Sequence, residues 1–398
     1  MNDLLADYRN DLTSLEAQGM RRLLRTIESA PAAHVRMNGR DTLLLSSNNY
    51  LGLATHPQLI AAASSAMTRY GVGSSGSRLL SGSLPPHRDF EEEIAAFKGT
   101  EAALLFNCGY AANTGILQGL FGGADDIIFS DALNHASIID GCRLSSARTI
   151  VYPHADVVAL EELLLAEMPN RCGKWVIVTD GVFSMDGVIA PLAELARLKE
   201  KYDALLMVDD AHGTGVLGAT GRGSAELCGC AGAIDLQMGT LGKALGGAGA
   251  YLAAPRPLID TLINRSRSFI FSTSLPPAVP AAASAALRII ASPEGAELRA
   301  RLRANRQRFS TRLQAGGLDL LGSTTQIVPI LTKDPQPTMA AANALLAAGI
   351  CLQGVRPPTV PVGRCRLRAT VMATHDPLEL EAAAEKIIAI IKGQGGAE

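Results

Sequence analysis

The alternation of strand and helix patterns between residues 57 and 280 constrains the fold of this chain most strongly. Short runs rich in aliphatic and β-branched residues are separated there by stretches of helical periodicity. We place a linking helix at 191–201 and strands at 102–106, 127–130, 175–179, 205–208, 236–239 and 250–253. Repeated strand–helix–strand units favour a mostly parallel sheet with helices on both faces. The sequence therefore predicts an α/β fold.

The strand–helix alternation changes on both sides of residues 57–280, which predicts that the chain has three parts. Residues 1–56 are expected to form an N-terminal helix and a short β segment, residues 57–280 the large domain, and residues 281–398 a small C-terminal α+β domain. The proline cluster LPPAVP at 275–280 marks the second boundary. Apolar residues at helical spacing predict that the N-terminal helix packs on a larger part of the protein: Leu4, Leu5, Tyr8, Leu12 and Leu15.

Composition and charge exclude several classes of protein. The 398 residues include 36 Lys and Arg against 38 Asp and Glu, a net charge of -2, which gives no bulk attraction to nucleic acid or to an anionic membrane. No apolar run reaches the roughly 18 residues of a membrane helix, and the N-terminus has acidic residues where a signal peptide needs basic ones. The seven cysteines are scattered without metal-ligand spacing. We expect a cytoplasmic protein with no disulfide framework, no metal, and no nucleic-acid or membrane partner.

Polar residues follow three of the predicted strands directly. WVIVT runs into DGVFSMDG, LLMV into DDAHGTG, and LQMG into TLGKALGG. In an open α/β sheet, ligands lie outside the carboxyl ends of the strands, so side chains at these ends converge on one crevice. The sequence predicts that five residues meet there: Ser184, Asp209, His212, Thr240 and Lys243.

Lys243 is a candidate Schiff-base former. The small residues Gly242, Ala244 and Gly246 surround it and leave little to solvate an ammonium group. Partial burial of a lysine frees its amine to attack a carbonyl carbon. A surface lysine at the start of a helix has the same local pattern and remains the alternative. A phosphate-binding P-loop is excluded, because Gln237 and Ala244 occupy positions that need Gly and Ser or Thr.

The pair of Asp209 and His212 favours pyridoxal phosphate (PLP) as the cofactor. A carboxylate that directly follows a buried strand must be paired, and a cationic ring nitrogen would pair it. PLP needs an acidic partner for that nitrogen and a lysine for its aldehyde. His212 lies within reach of a ring hydroxyl in the same crevice, although a single histidine here is more often a structural one.

The segment FNCGYAANTG at 106–115 predicts the phosphate site. A strand, a small-residue turn and a helix start follow one another there, which offers backbone N–H groups at Gly109 and Tyr110.

His135 follows another predicted strand and is a candidate to stack on the ring, with a helix-cap histidine as the alternative. The Gly/Ser-rich run at 71–83 is either a mobile substrate loop or a linker. Arg368 is a candidate clamp for a substrate carboxylate, unless it is an ordinary surface arginine of a strand.

The assembled motifs resemble the α-oxoamine synthases, which are fold-type I PLP enzymes that condense an amino acid with an acyl thioester. The resemblance covers nearly the whole chain. It rests on LLLSSNNYLGLATHP (43–57), GSSGSRLLSGSLPPHRDFEEEIAAFKG (73–99), VFSMDGVIAPL (182–192), VDDAHGTGVLGATGRG (208–223), GTLGKALGG (239–247), FSTSLPPA (271–278) and RPPTVP (356–361). Together these motifs are highly specific.

The resemblance implies roles for individual residues. Lys243 is expected to carry the cofactor covalently, Asp209 to pair with the pyridine nitrogen, His212 to contact the ring hydroxyl and His135 to stack on the ring. The other positions that match cofactor contacts are Gly109, Tyr110, Ser184, Thr240, Ser272 and Thr273, and those that match substrate contacts are Arg22, Asn48, His135, Thr359 and Arg368. Ser272 and Thr273 match residues that reach the phosphate in a neighbouring subunit, so the resemblance implies a homodimer with shared active sites.

Two branches of the family fit the motifs. HGTGVLG and RPPTVP favour the branch that condenses L-alanine with a pimeloyl thioester, carried by coenzyme A or by acyl carrier protein, in biotin biosynthesis. GVFSMDGVIA and GTLGKALGGA fit equally well the branch that joins glycine to acetyl-CoA. A third possibility, from a different functional class, is a PLP-binding protein without catalytic activity. The presence of Lys243, Asp209, His212 and His135 together argues against it.

Overall fold

The computed structural model of the protein describes residues 4–394. Its helices are α1 (Ala6–Ala17), α2 (Pro57–Tyr70), α3 (Pro85–Lys98), α4 (Gly109–Leu120), α5 (Ala136–Leu144), α6 (Val157–Glu167), α7 (Leu192–Lys201), α8 (Ser224–Leu227), α9 (Arg256–Arg265), α10 (Arg267–Ile270), α11 (Ala278–Ile290), α12 (Pro293–Ala315), α13 (Pro335–Ala347) and α14 (Pro377–Gln394). Its strands are β1 (His34–Met37), β2 (Arg40–Leu44), β3 (Ala102–Phe106), β4 (Ile127–Asp131), β5 (Arg148–Tyr152), β6 (Trp175–Asp180), β7 (Leu205–Asp209), β8 (Leu236–Thr240), β9 (Ala250–Ala254), β10 (Ile327–Lys333), β11 (Ile350–Cys351), β12 (Gln353–Val355) and β13 (Cys365–Thr370).

The chain divides into two compact units. The larger unit comprises Asn48–Ser184 and Val188–Arg301, and the smaller one comprises the chain up to Ser47, Met185–Gly187 and the chain from Leu302 onward. The three predicted parts had boundaries at 56/57 and 280/281. In the structure, residues 48–56 and 281–301 both belong to the larger unit, where α11 packs against α2 and α3.

A seven-stranded sheet forms the centre of the larger unit. Its strand order is β3-β9-β8-β7-β6-β4-β5. The strands from β8 to β5 are parallel, and β9 is antiparallel to both β8 and β3. The six predicted strands all form, and five of them extend one residue further than predicted. Four of these extensions are polar residues, Asp131, Asp180, Asp209 and Thr240, because the apolar pattern ends before the hydrogen-bonded ladder does.

Alternating side chains of this sheet pack against helices on opposite faces. On one face, Ile128, Val176 and Met207 pack with apolar residues of α4 and α9. On the other face, Phe129, Ile177 and other strand residues pack with α6 and α7. Burial on both faces explains why these strands read as continuous apolar runs in the sequence. The edge strand β5 was not predicted, since most of its residues are not buried and RTIVY lacks such a run.

Two three-stranded sheets, β1-β2-β11 and β10-β13-β12, characterise the smaller unit. β1 and β2 pair antiparallel as a hairpin within the predicted N-terminal β segment, and β10 pairs antiparallel with β13. The N-terminal helix α1 ends at Ala17, and Gly19 follows it in the left-handed conformation with φ of 66°. This helix buries none of its residues, and Tyr8 is 68% exposed, so the predicted packing of its apolar face is not found in the described chain. Among residues 4–394, no helix has the length and hydropathy needed to cross a membrane.

Candidate active site

A cavity of about 240 Å³ lies within the larger unit, at the carboxyl ends of β6, β7 and β8 and the N-termini of α4 and α5. Its lining brings together eight residues predicted from the sequence: Gly109, Tyr110, His135, Ser184, Asp209, His212, Thr240 and Lys243. The lining also includes four residues that were not predicted: Ser137, Asp180, Ala211 and Met238. The position of the cavity agrees with the rule that ligands bind beyond the carboxyl ends of parallel strands.

Lys243 and His212 are in direct contact in this cavity. The Lys243 Nζ lies 2.9 Å from the His212 Nε2, while the other ring nitrogen of His212, Nδ1, lies 2.6 Å from the hydroxyl of Tyr50. Lys243 is half-buried, and only 7% of His212 is exposed. The cavity therefore presents a primary amine next to an imidazole that can exchange a proton with it.

Asp209 is held at the end of β7 by two N–H donors. The backbone N–H of Ala211 donates to Oδ1 at 3.0 Å, and the side-chain amide of Asn113 on α4 donates to Oδ2 at 2.7 Å. The residue is 5% exposed. These two bonds fix the direction of the carboxylate without supplying a positive charge. The arrangement suits a ligand that brings a cationic N–H group of its own.

His135 precedes α5 and is fixed through its backbone and its ring. Its backbone N–H donates to the Asp180 Oδ2 at 2.8 Å, and its Nδ1 lies 2.7 Å from the hydroxyl of Ser137. The ring is accessible through the cavity, yet the surrounding protein desolvates it enough to lower the pKa of His135, an effect that Lys243 reinforces and Asp209 opposes. The neutral imidazole is therefore favoured near neutral pH.

Asp180 is a second carboxyl group in the cavity wall. It pairs in register with Asp209 on the neighbouring strand and is 5% exposed. Burial, together with the charge of Asp209, raises the pKa of Asp180 well above its ordinary value. Both causes disfavour the charged form of Asp180.

The N-terminus of α4 forms one side of the cavity. Cys108 caps the helix, and its Sγ accepts the backbone N–H of Ala111 at 3.4 Å. A Cβ atom on Gly109 would lie 3.2 Å from the Met238 side chain, so any side chain at this position would require Met238 to shift. Free backbone donors and the helix dipole make such a terminus suited to a phosphate group.

Ser272 and Thr273 lie outside this cavity. Ser272 lines a separate small cavity with Arg78 and His87, and Thr273 forms a β-bridge with Ser77. That bridge belongs to the Gly/Ser-rich run at 71–83. The run is further anchored by Arg78, which makes two hydrogen bonds of 2.8 and 2.9 Å to the Glu91 carboxylate. These contacts of Ser77 and Arg78 therefore hold the middle of the 71–83 run in place.

The predicted substrate residues are divided between the two units. Asn48 is in the larger unit, where its Oδ1 accepts the Tyr50 hydroxyl at 3.1 Å. Arg22, Thr359 and Arg368 are in the smaller unit. Arg22 and Thr359 are exposed, and Arg368 is buried in β13. Their roles stay predictions.

Four polar residues of the site environment were missed at the level of sequence: Tyr50, Asn113, Ser137 and Asp180. Asp180 carried a usable signal, since it follows a buried strand just as Asp209 does. Asn113 in the second turn of α4 and Ser137 in the first turn of α5 carried none, because their importance comes from the side chains that the fold places beside them. Within residues 4–394, no cluster of His, Cys, Asp and Glu is suited to hold a metal ion.

Comparison with known proteins gives full-length matches. A model of the family described as aminotransferase class I and II matches residues 40–387. The 8-amino-7-oxononanoate synthase of Geobacter sulfurreducens is 57% identical over 97% of this chain and 98% of its own length. Among solved structures, SPT (serine palmitoyltransferase) with a PLP internal aldimine has a TM-score of 0.92 and 32% identity, covering 99% of this chain and 100% of that one. The 8-amino-7-oxononanoate synthase from Francisella tularensis has a TM-score of 0.75 and 29% identity, covering 89% of this chain and 99% of that one. The predicted fold class is confirmed.

Proposed function

The chain belongs to the aminotransferase class I and II family, and from this premise we propose that it is a PLP-dependent acyltransferase that makes 8-amino-7-oxononanoate. The reaction condenses L-alanine with a pimeloyl thioester, releases CO2 and the free thiol, and belongs to biotin biosynthesis. The resemblance to the α-oxoamine synthases is confirmed by the family and its relatives. The observation that carries the proposal is that Lys243, Asp209, His212 and His135 line one cavity.

The residues of this cavity fit PLP. Asp209 offers a buried carboxylate whose partners are neutral N–H groups, which suits a protonated ring nitrogen. The N-terminus of α4 at Gly109 and Tyr110 suits the phosphate. Ser184 and Thr240 complete the wall of the cavity. We assign the covalent attachment of the cofactor to Lys243.

When bound, PLP supplies an electron sink that stabilises negative charge at the α-carbon of an amino acid. Lys243 is positioned to take the proton from the α-carbon of L-alanine through its Nζ. His212, 2.9 Å away, can hold or return that proton at Nε2. Asp209 keeps the ring nitrogen protonated by offering its carboxylate as the acceptor. The neutral His135 ring would stack on the cofactor and would be available to donate a hydrogen bond to the thioester carbonyl.

We propose that the substrate is bound by the four residues that match substrate contacts in the related family: Arg22, Asn48, Thr359 and Arg368. A guanidinium binds a carboxylate through two parallel hydrogen bonds, and we assign this role to Arg368. The acyl group arrives on coenzyme A or on acyl carrier protein, since both present the same thioester. The seven cysteines are unpaired, which suits the reducing conditions of the cytoplasm.

A homodimer with shared active sites is part of the proposal. Large apolar side chains stand exposed around the Ser77–Thr273 bridge, namely Val72, Leu79, Leu80 and Phe271, at 79, 50, 85 and 71%. Exposed apolar patches of this kind mark protein interfaces. A second copy of the chain would cover them and bring its Ser272 and Thr273 to the phosphate.

The experiment is a visible spectrum of the purified protein with PLP, titrated with L-alanine, glycine and serine and then with pimeloyl-CoA or pimeloyl-acyl carrier protein. A band that shifts with L-alanine, followed by release of 8-amino-7-oxononanoate, is the expected result. Lys243→Ala should lose the band, and Lys201→Ala, at an exposed lysine paired with Glu161, is the matched control. Turnover of glycine with acetyl-CoA instead would overturn the choice of substrates. No band at all would overturn the enzyme assignment.

A further inference from the structure

Tyr50 stands at the centre of a hydrogen-bonded chain that ends at Lys243. The Tyr50 hydroxyl donates to the Asn48 Oδ1 at 3.1 Å and lies 2.6 Å from the His212 Nδ1. The other nitrogen of the same ring, Nε2, lies 2.9 Å from the Lys243 Nζ. Tyr50 lies within the motif LLLSSNNYLGLATHP, but it was not among the predicted site residues.

The direction of these bonds assigns the protons. A tyrosine hydroxyl has one proton, and we assign it to the amide oxygen of Asn48, which can only accept. The short contact to His212 is then satisfied only if Nδ1–H donates to the tyrosine oxygen. A neutral imidazole has one N–H, so Nε2 keeps its lone pair and accepts from Lys243. Each hydrogen-bond donor in this series from Asn48 to Lys243 then faces an acceptor.

The segment that carries Tyr50 is fixed against the segment that carries Lys243. Tyr50 has no exposed surface, and Leu51 and Leu53 beside it are buried in the core. The backbone N–H of Gly246 donates to the Lys243 carbonyl, and a Cβ on Gly246 would lie 2.6 Å from the backbone nitrogen of Ala54. This close approach holds the two segments in one arrangement, so the position of the Tyr50 hydroxyl is set by packing.

We propose that Tyr50 is a positioning residue that holds His212 as the tautomer protonated on Nδ1, and so presents Nε2 to Lys243 as a proton acceptor. This inference rests on the proposed function for its catalytic meaning. A proton that leaves the Lys243 ammonium goes to Nε2, and the resulting imidazolium keeps its Nδ1–H bond to Tyr50. Tyr50 thus stabilises the protonated ring through His212 and does not itself touch the reacting atoms.

The test measures the pKa of His212 in the cofactor-free protein, from the pH dependence of hydrogen–deuterium exchange at its ring C2 position, read by mass spectrometry. Tyr50→Phe removes the acceptor that stabilises the imidazolium, so the pKa of His212 should fall by about one unit. Besides His212, the charged and titratable groups that line the same cavity are Lys243, Asp209, Asp180, His135 and Tyr110, and all of them remain in the variant. The change therefore isolates the hydroxyl group.

Tyr251→Phe is the matched control. Tyr251 is also fully buried in the larger unit, but its hydroxyl lies 3.0 Å from Thr214, so the pKa of His212 should not change. A rise in the pKa of His212 in Tyr50→Phe would mean that Tyr50 donates to Nδ1, and it would overturn the proposal. An unchanged value would overturn it as well.

Two further measurements distinguish a failure of this inference from misfolding of a variant and from a failure of the proposed function. In the wild-type protein labelled with 15N-histidine, Nδ1 of His212 should have the 15N chemical shift of a protonated nitrogen, and Nε2 that of an unprotonated one. The reverse pattern would overturn the proposal, and this measurement needs no variant. In the PLP-loaded enzyme, the acidic limb of the kcat–pH profile should move with the pKa of His212. If no PLP binds, the proposed function fails, while the tautomer result stands on its own.

Discussion

Asp209 illustrates how one residue acquires its role from its neighbours. Its two N–H partners, Ala211 and Asn113, orient the carboxylate without neutralising it. The adjacent Asp180 has a raised pKa because of its burial and the nearby Asp209 charge. The two aspartates therefore differ in environment, although both lie at the ends of adjacent strands.

Asp209→Asn should bind PLP but lose most of the turnover. A neutral amide cannot hold the ring nitrogen protonated, and removing one such electrostatic contact typically slows catalysis about 100- to 1,000-fold. The measurement is kcat with L-alanine and pimeloyl-CoA, alongside the PLP content of the protein. Asp203→Asn, at a fully exposed side chain just before β7, is the control and should keep the wild-type rate. An unimpaired Asp209→Asn enzyme would show that another group holds the ring charge.

At the scale of elements, a buried ion pair links the end of α3 to the segment that follows β7. The Lys98 Nζ lies 3.7 Å from the Asp210 Oδ2, and both side chains are nearly inaccessible to solvent, at 2 and 4% exposed. Asp210 also accepts the backbone N–H and hydroxyl of Ser224. Burial lowers the pKa of Lys98 and raises that of Asp210, and the attraction between the two opposes both shifts. The pair fixes the backbone directly after Asp209.

Lys98→Met should reduce the free energy of unfolding by about 3–5 kcal/mol, since it leaves the Asp210 carboxylate buried without its cation. Urea titration followed by circular dichroism measures the effect. The double variant Lys98→Met/Asp210→Asn removes the uncompensated charge and should recover part of the loss. If the single variant is as stable as the wild type, the ion pair does not hold this segment.

At the scale of the whole molecule, a buried histidine makes stability depend on pH. The His375 Nδ1 accepts the backbone N–H of Met372 at 2.9 Å, and its Nε2 donates to the Leu44 carbonyl at 3.2 Å. This pattern requires the neutral ring, and burial lowers the pKa of His375 to about 4, from 6.5 in an unfolded chain. Between these two values the unfolded chain binds a proton that the folded protein does not.

The free energy of unfolding should therefore fall as the pH is lowered from 6.5 to 4, by about 3 kcal/mol from this residue alone. His375→Asn keeps a hydrogen-bonding side chain but cannot titrate, so its stability should depend less on pH across this window. Urea titrations of both proteins at several pH values measure the difference. Parallel pH profiles would contradict the assignment to His375.

Local sequence patterns were enough to predict the fold class and the residues at the strand ends. The apolar runs are continuous because the strands are buried on both faces, and this burial makes them visible without a structure. Lys243, Asp209 and His212 were predicted to converge because the carboxyl ends of parallel strands lie on one edge of a sheet. These inferences need only local pattern and a general rule of topology.

The other side chains around the candidate site could be identified only from the folded structure. Tyr50 contacts His212, which lies 162 positions away in the sequence, and Asn113 contacts Asp209, which lies 96 positions away. No local pattern encodes such contacts, because they depend on how loops and helices pack on the sheet. The same holds for the raised pKa of Asp180 and for the tautomer that we propose for His212. Both follow from burial and from neighbouring charges and hydrogen-bond partners, which exist only once the chain has folded.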